Sequence, residues 1–174
     1  MLKAPSTYAE WIKCLEMLKE ATMDELVIEI MNQGHLSWQA GITERFTIEL
    51  FEVLNVRITM INNMLDKKLR GGSGSEFELA STLINGRNAI KTLFKLSKIN
   101  SFPEDLKKTI EKTLIDYADK LQHSLIESAK ADRTGRLVIL IKNNPVNKLY
   151  EDEIKEKNPD DEKVKTSIRR VIIT

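Results

Sequence analysis

Leu106-Lys107-Lys108-Thr109-Ile110-Glu111-Lys112-Thr113-Leu114-Ile115-Asp116-Tyr117-Ala118-Asp119-Lys120-Leu121-Gln122-His123-Ser124-Leu125 is the stretch that decides the fold. Leu106, Ile110, Leu114, Tyr117, Leu121 and Leu125 recur at spacings of four with a single three, which is the period of a helix with one apolar face. Lys107, Lys108 and Lys112 alternate with Glu104, Asp105 and Glu111, the mixed charge of a solvated face stabilised by i,i+4 pairs. The stripe is of the kind that forms bundle and coiled-coil seams, so it requires further helices to cover it.

Those helices are marked upstream. Thr7-x-x-Glu10, Thr22-x-x-Glu25, Ser75-x-x-Glu78 and Ser101-x-x-Glu104 each have capping-box spacing, in which hydroxyl and carboxylate satisfy free amides reciprocally. Pro103 sits near a first helical position, where its missing N–H costs nothing. The first start leads into Trp11, Leu15 and Leu18. The second leads into Leu26, Val27, Ile30 and Met31, with Gly34 placed for a left-handed cap. A third helix begins near Ser37 or Thr43, carries Phe46, Leu50, Val53, Leu54, Ile61 and Leu65, and closes at Gly71 and Gly72. A fourth carries Phe77, Ala80, Leu83, Ile84, Ile90, Leu93 and Phe94 up to Asn100. Arg57 and Gly86 interrupt these stripes and mark an exposed end or a close helix crossing.

The last three helices are expected to span roughly 24 to 30 residues each, about 36 to 45 Å. Short joins make neighbours antiparallel. The expected fold is mainly α: an elongated antiparallel helical bundle, a short two-helix N-terminal cap, and a small C-terminal β-hairpin or tail. Thr134-Gly135 reads as the end of the fifth helix. Beyond it, Leu137–Ile141 is a continuous apolar run, Asn144-Pro145 forces a turn, and 166–173 is rich in β-branched residues. Strands near 137–142 and 166–173 are therefore expected, covered by each other, by the bundle or by a second chain.

The chain divides into a helical segment 1–70, a Gly/Ser-rich segment 71–79, a second helical segment 80–135, and strands with a charged linker over 136–174. Gly71-Gly72-Ser73-Gly74-Ser75 has the composition of a flexible spacer, and the following Glu-Phe-Glu-Leu reads like translated cloning sites. Two readings stay open: a native interhelical loop, or an engineered join that tethers two pieces at high effective concentration. The same glycines precede a helix, but no Lys follows as an anion-binding P-loop requires.

Composition narrows the chemistry. Lys plus Arg number 27 and Asp plus Glu 26, a balance that excludes a uniformly basic nucleic-acid coat. Cys14 is the single cysteine, so neither an internal disulfide nor a cysteine zinc cage forms within this sequence. His35 and His123 are the two histidines, with Asn32 and Lys120 three residues before them, so the Glu-x-x-His pairs of a di-iron bundle are missing. Cys14 with His35 as nucleophile and base competes with a plain buried thiol. No cofactor and no enzymatic activity are expected. No apolar run is long enough to cross a bilayer, and Glu10, Lys13, Glu16 and Lys19 break any signal-peptide core. A cytoplasmic protein without membrane association follows as the expectation.

The function expected is protein–protein interaction or self-association, as an adaptor, scaffold or regulatory subunit. Ile48, Val56, Ile58, Ile115 and Ile126 are surplus to the core stripes and form the candidate partner surface, with Val171 and Ile172 in the C-terminal strand. The alternative reading is transcriptional regulation. Leu36-Ser37-Trp38-Gln39-Ala40-Gly41-Ile42-Thr43 resembles the turn of a helix-turn-helix DNA-binding unit, which makes Thr43 and Arg45 the DNA-contacting candidates. The ensuing Glu44-Arg45-Phe46-Thr47-Ile48-Glu49 sets one Arg against two Glu, a poor ratio for phosphate contact. Lys163, Lys165, Arg169 and Arg170 form a basic C-terminal group beside the acidic runs Glu151-Asp152-Glu153 and Asp160-Asp161-Glu162.

Overall fold

The computed structural model describes residues 3–71 and 74–149. Among them are α1 (Tyr8–Glu20), α2 (Asp24–Gln33), α3 (Ala40–Leu65), α4 (Glu76–Phe94), α5 (Glu104–Ala129) and α6 (Arg136–Asn143), and no strand. The protein is mainly α. A π turn over Asp66–Arg70 extends α3, and a 3₁₀ turn over Lys95–Lys98 follows α4. α3 and α5 each run for 26 residues, whereas α4 stops at 19, short of the expected length. No helix of the described residues is long and apolar enough to cross a membrane.

Two of the four capping signals act as spaced. The Thr7 hydroxyl accepts from the Glu10 amide at 3.2 Å, and the Glu10 carboxylate accepts from the Thr7 amide at 3.2 Å. Ser75 accepts from the Glu78 amide at 3.2 Å. The other two do not cap: α2 starts behind Met23 and α5 behind Pro103. At α2 the first turn is set by Asp24, whose carboxylate is drawn to Arg57. At α5 the helix begins at Glu104 itself, too late for Ser101 to reach its amides.

Gly34 is not a left-handed cap. Its φ is −81° and its ψ 172°, ordinary extended backbone, and what requires glycine is space: a Cβ there would stand 2.6 Å from the Pro5 carbonyl oxygen. The left-handed cap belongs to α1, at Ala21 with φ 64°.

One apolar core runs through the helices, from Trp11 in α1 to Leu149 beyond α6. α1 packs on α3, α3 on α4, α4 on α5, and α6 lies across α4 and α5. The α3 stripe Phe46, Leu50, Val53, Leu54, Ile61, Leu65 is buried as expected. On α5 the buried series is Leu106, Ile110, Leu114, Ala118, Leu121, Leu125, with half-buried Tyr117 donating from its hydroxyl to Asn62 Oδ1 at 2.7 Å. Phe77 departs from expectation and is 82% exposed. With α4 starting at Glu76, Phe77 lies about 200° around the helix from Leu79, and Leu79 and Leu83 take the inward ridge.

Gly86 marks a close crossing: a Cβ on it would meet Leu65 Cδ2 at 3.3 Å. Arg57 is neither at an exposed end nor at a crossing. It is buried and reaches Asp24 and the Leu18 carbonyl, a use of an arginine that the break in the apolar stripe does not reveal.

The strand expected over 137–142 is a helix. α5 ends at Ala129, and Gly135, with φ 69°, is the N-terminal cap position of α6 rather than the end of α5. The Asp132 carboxylate accepts from the Thr134 hydroxyl at 2.8 Å and the Leu137 amide at 3.2 Å, which organises the first turn. Five consecutive apolar residues fit a strand or a helix equally by periodicity. Here Ile141 is buried on the bundle, Leu137, Val138 and Leu140 are half-buried, and Ile139 is left 60% exposed. The C-terminal hairpin therefore loses its first strand, and the second, over 166–173, lies outside the described residues.

Candidate partner-binding groove

Four rings close one end of the bundle. Trp11, Trp38, Phe46 and Phe102 are mutually in contact, with every pair of centroids between 5.0 and 5.9 Å, the range of favourable edge and tilted contacts. Trp38 comes from the α2–α3 loop and Phe102 from the α4–α5 loop, so the cluster fixes both loops against α1 and α3. Two further bonds hold them: Trp11 Nε1 donates to the His35 carbonyl at 3.2 Å, and the Asn100 amide donates to Asn32 Oδ1 at 3.0 Å. The N-terminal turns of α3 and α5 are thereby set side by side.

Between those turns lies a groove of about 630 Å³. Trp38, Ile48, Pro103 and Leu106 supply its apolar lining, and Ile48 is 68% exposed. Its charged lining is Glu44 from α3 and Asp105 from α5; among the described residues no Lys or Arg lines it. The hydroxyls are already committed. Thr43 donates to the Gln39 carbonyl at 2.9 Å, Thr47 to the Thr43 carbonyl at 2.6 Å, and Thr109 to the Asp105 carbonyl at 2.8 Å, each bonding back along its own helix. The groove thus offers water-exposed apolar surface and acceptor oxygens, with its hydroxyl donors already used. The Trp38 indole N–H is buried without an acceptor, an unfavourable arrangement for a donor.

The candidates from sequence separate. Ile48 and Thr43 meet in the groove. Arg45 is exposed on the same turn of α3, outside the lining. Val56 and Ile58 are half-buried further along α3. Ile115 and Ile126 are half-buried against the core cluster, away from the groove lining. Val171 and Ile172 lie outside the described residues. Trp38, Pro103 and Leu106 were not singled out as site residues. Each had a sufficient local reading as a turn residue, a helix start or a core position, and only tertiary packing juxtaposes them.

A second concavity, of about 750 Å³, lies between the start of α4, the end of α5 and α6. Leu69, Leu79, Leu125 and Ile141 line it, with charges of both signs, Arg70 and Arg136 beside Glu76 and Asp132; Arg136 stands 3.8 Å from Glu76, and Arg70 3.1 Å from Asp66 outside the lining.

The remaining chemistry is sparse. Cys14 is buried on α1, and burial, with a smaller contribution from Glu10, pushes its thiol up, away from the thiolate that a nucleophile requires. His35 is exposed. Among the described residues no three His, Cys, Asp or Glu side chains converge as metal ligands.

No family model, curated protein or solved structure matches the chain.

Proposed function

We propose that the protein is a non-enzymatic helical interaction module, an adaptor, scaffold or regulatory subunit built on an elongated antiparallel bundle. Its docking site is the groove between α3 and α5. The occupant is a protein segment that presents apolar side chains flanked by Lys or Arg. One observation carries this reading: Ile48, 68% exposed, stands beside Trp38, Pro103 and Leu106 in a groove whose only lining charges among the described residues are Glu44 and Asp105.

Each Leu- or Ile-sized side chain that docks gains about 2 kcal/mol from burial. Cationic donors match the two carboxylates and bond more strongly than neutral ones. Two apolar contacts and two charge-assisted bonds gain about 8 kcal/mol together, and the loss of rigid-body freedom removes at least about 4 of it, so a short peptide binds with a dissociation constant on the order of 1 mM. A phosphate backbone is a poorer occupant, because it needs cations where the groove has carboxylates, and the Thr43 hydroxyl is already bonded to Gln39. That favours a protein partner over the helix-turn-helix alternative built on Thr43 and Arg45.

The test is a titration of the isotopically labelled chain with two short synthetic peptides, Lys-Leu-Ile-Lys and Glu-Leu-Ile-Glu. The amide signals of Thr43, Thr47 and Thr109 shift with the first and not with the second. No shift with either, or equal shifts with both, overturns the reading.

A further inference from the structure

We infer that the chain's own C-terminal segment, residues 165–174, occupies the α3/α5 groove and competes there with an external partner. The inference rests on the docking reading above. It adds regulation to that site: the groove is partly filled in cis, and a stronger ligand displaces the segment.

Chemical fit is the first support. Lys165-Thr166-Ser167-Ile168-Arg169-Arg170-Val171-Ile172-Ile173-Thr174 contains three cationic side chains, no carboxylate side chain, and the apolar run Val171-Ile172-Ile173. The groove presents the complement, an apolar lining with Glu44 and Asp105 and, among the described residues, no cation. The second concavity mixes signs, with Arg70 and Arg136 beside Glu76 and Asp132, and so lacks that preference.

Reach is the second. The last described residues run along α5: the Val146 amide donates to Gln122 Oε1 at 2.9 Å, and Asn147 Nδ2 donates to Asp119 Oδ1 at 3.0 Å. From Asp119 the groove residues Thr109 and Asp105 lie toward the start of the same helix, about 15 to 21 Å away at the helical rise. Residues 150–164 separate this anchor from the basic segment, and an extended chain of that length spans about 50 Å. The distance is covered with slack.

Tethering at this length gives an effective concentration near millimolar. Against an intrinsic dissociation constant on the order of 1 mM, that fills the groove about half of the time and weakens an external ligand about twofold.

The experiment uses the full chain with a nitroxide at Ser167→Cys, Cys14 being buried. Expected is relaxation broadening of the Thr43, Thr47 and Thr109 amides, independent of protein concentration, with Thr134 and Leu137 at the second concavity unaffected. Arg169→Glu/Arg170→Glu abolishes the broadening, and a free peptide of sequence 165–174 binds that variant about twofold more tightly than it binds wild type. No broadening at the groove, or broadening centred on Thr134 and Leu137, overturns the inference. If the free peptide still shifts Thr43, Thr47 and Thr109 of the variant, the docking reading survives that failure. If it does not, both fall.

Discussion

The guanidinium of Arg57 forks onto the carboxylate of Asp24, with Nη1 to Oδ1 and Nη2 to Oδ2 both at 2.6 Å. Nη1 also donates to the Leu18 carbonyl at 2.8 Å. One side chain of α3 therefore holds the last turn of α1 and the first turn of α2. Both partners are largely buried, with side-chain exposures of 7% and 16%, so removing one leaves the other's charge without compensation. Arg57→Met alone is expected to cost about 3 kcal/mol of stability. Arg57→Met with Asp24→Leu is expected to cost well under the sum of the two single changes. Urea denaturation of the four proteins checks this, and strict additivity contradicts it.

Phe46 is fully buried and touches the other three rings of the end cluster. Phe46→Ala leaves a cavity beneath Trp38 and is expected to cost about 3 to 5 kcal/mol. Because Trp38 also lines the groove, the loss extends to function: peptide binding weakens even under conditions where the variant remains folded. Thermal melting and titration on the same sample read both effects.

Gly86 illustrates two opposed terms. Alanine there gains about 1 kcal/mol of helix propensity, while its Cβ presses on Leu65 Cδ2 at 3.3 Å. Gly86→Ala is therefore expected to be near neutral. Gly86→Leu is expected to lose about 1 to 3 kcal/mol by overpacking, and Leu65→Ala in the same chain to recover part of that loss. Denaturation midpoints decide.

The turn before α6 carries a pH dependence. The Thr134 hydroxyl, then the Leu137 and Thr134 amides, hold the Asp132 carboxyl below the usual carboxylate range. The folded form thus binds this proton more weakly than the unfolded chain does. Its stabilisation is complete above the ordinary carboxylate pKa and is lost as pH falls through the lower folded value. Amide exchange in 136–143 is expected to accelerate selectively at acid pH. In Asp132→Asn it should be faster at neutral pH and lose this acid step.

Where a pattern is local and periodic, the sequence is a sufficient guide. The stripes of α3 and α5 and the Thr7 capping box follow from spacing alone, whereas spacing left Gly86 open between an exposed end and the close crossing found there. Long-range partners are not written in spacing. Arg57 interrupts its stripe because Asp24, 33 positions earlier, waits in another helix. The Leu137–Ile141 run became a helix because Asp132 and Gly135 organise its start, and because the bundle covers only part of its surface. Phe77 was misplaced by the choice of face: it shares a stripe with Ile84, whereas the bundle covers the ridge of Leu79, Leu83, Gly86 and Ile90. Of the groove, Ile48 was legible as a surplus apolar position. Trp38, Pro103 and Leu106 join it only after two distant loops are pinned by the aromatic cluster.

Charge reversal at the groove tests the central claim most directly. In the full chain, Glu44→Lys/Asp105→Lys inverts the lining charge and leaves Trp38, Ile48, Pro103 and Leu106 in place. Titrated with Lys-Leu-Ile-Lys and Glu-Leu-Ile-Glu, with the amides of Thr43, Thr47 and Thr109 as the readout, wild type is expected to select the basic peptide and the variant the acidic one. An unchanged preference, or binding that ignores both the charge reversal and the peptide charge, would contradict docking at this groove.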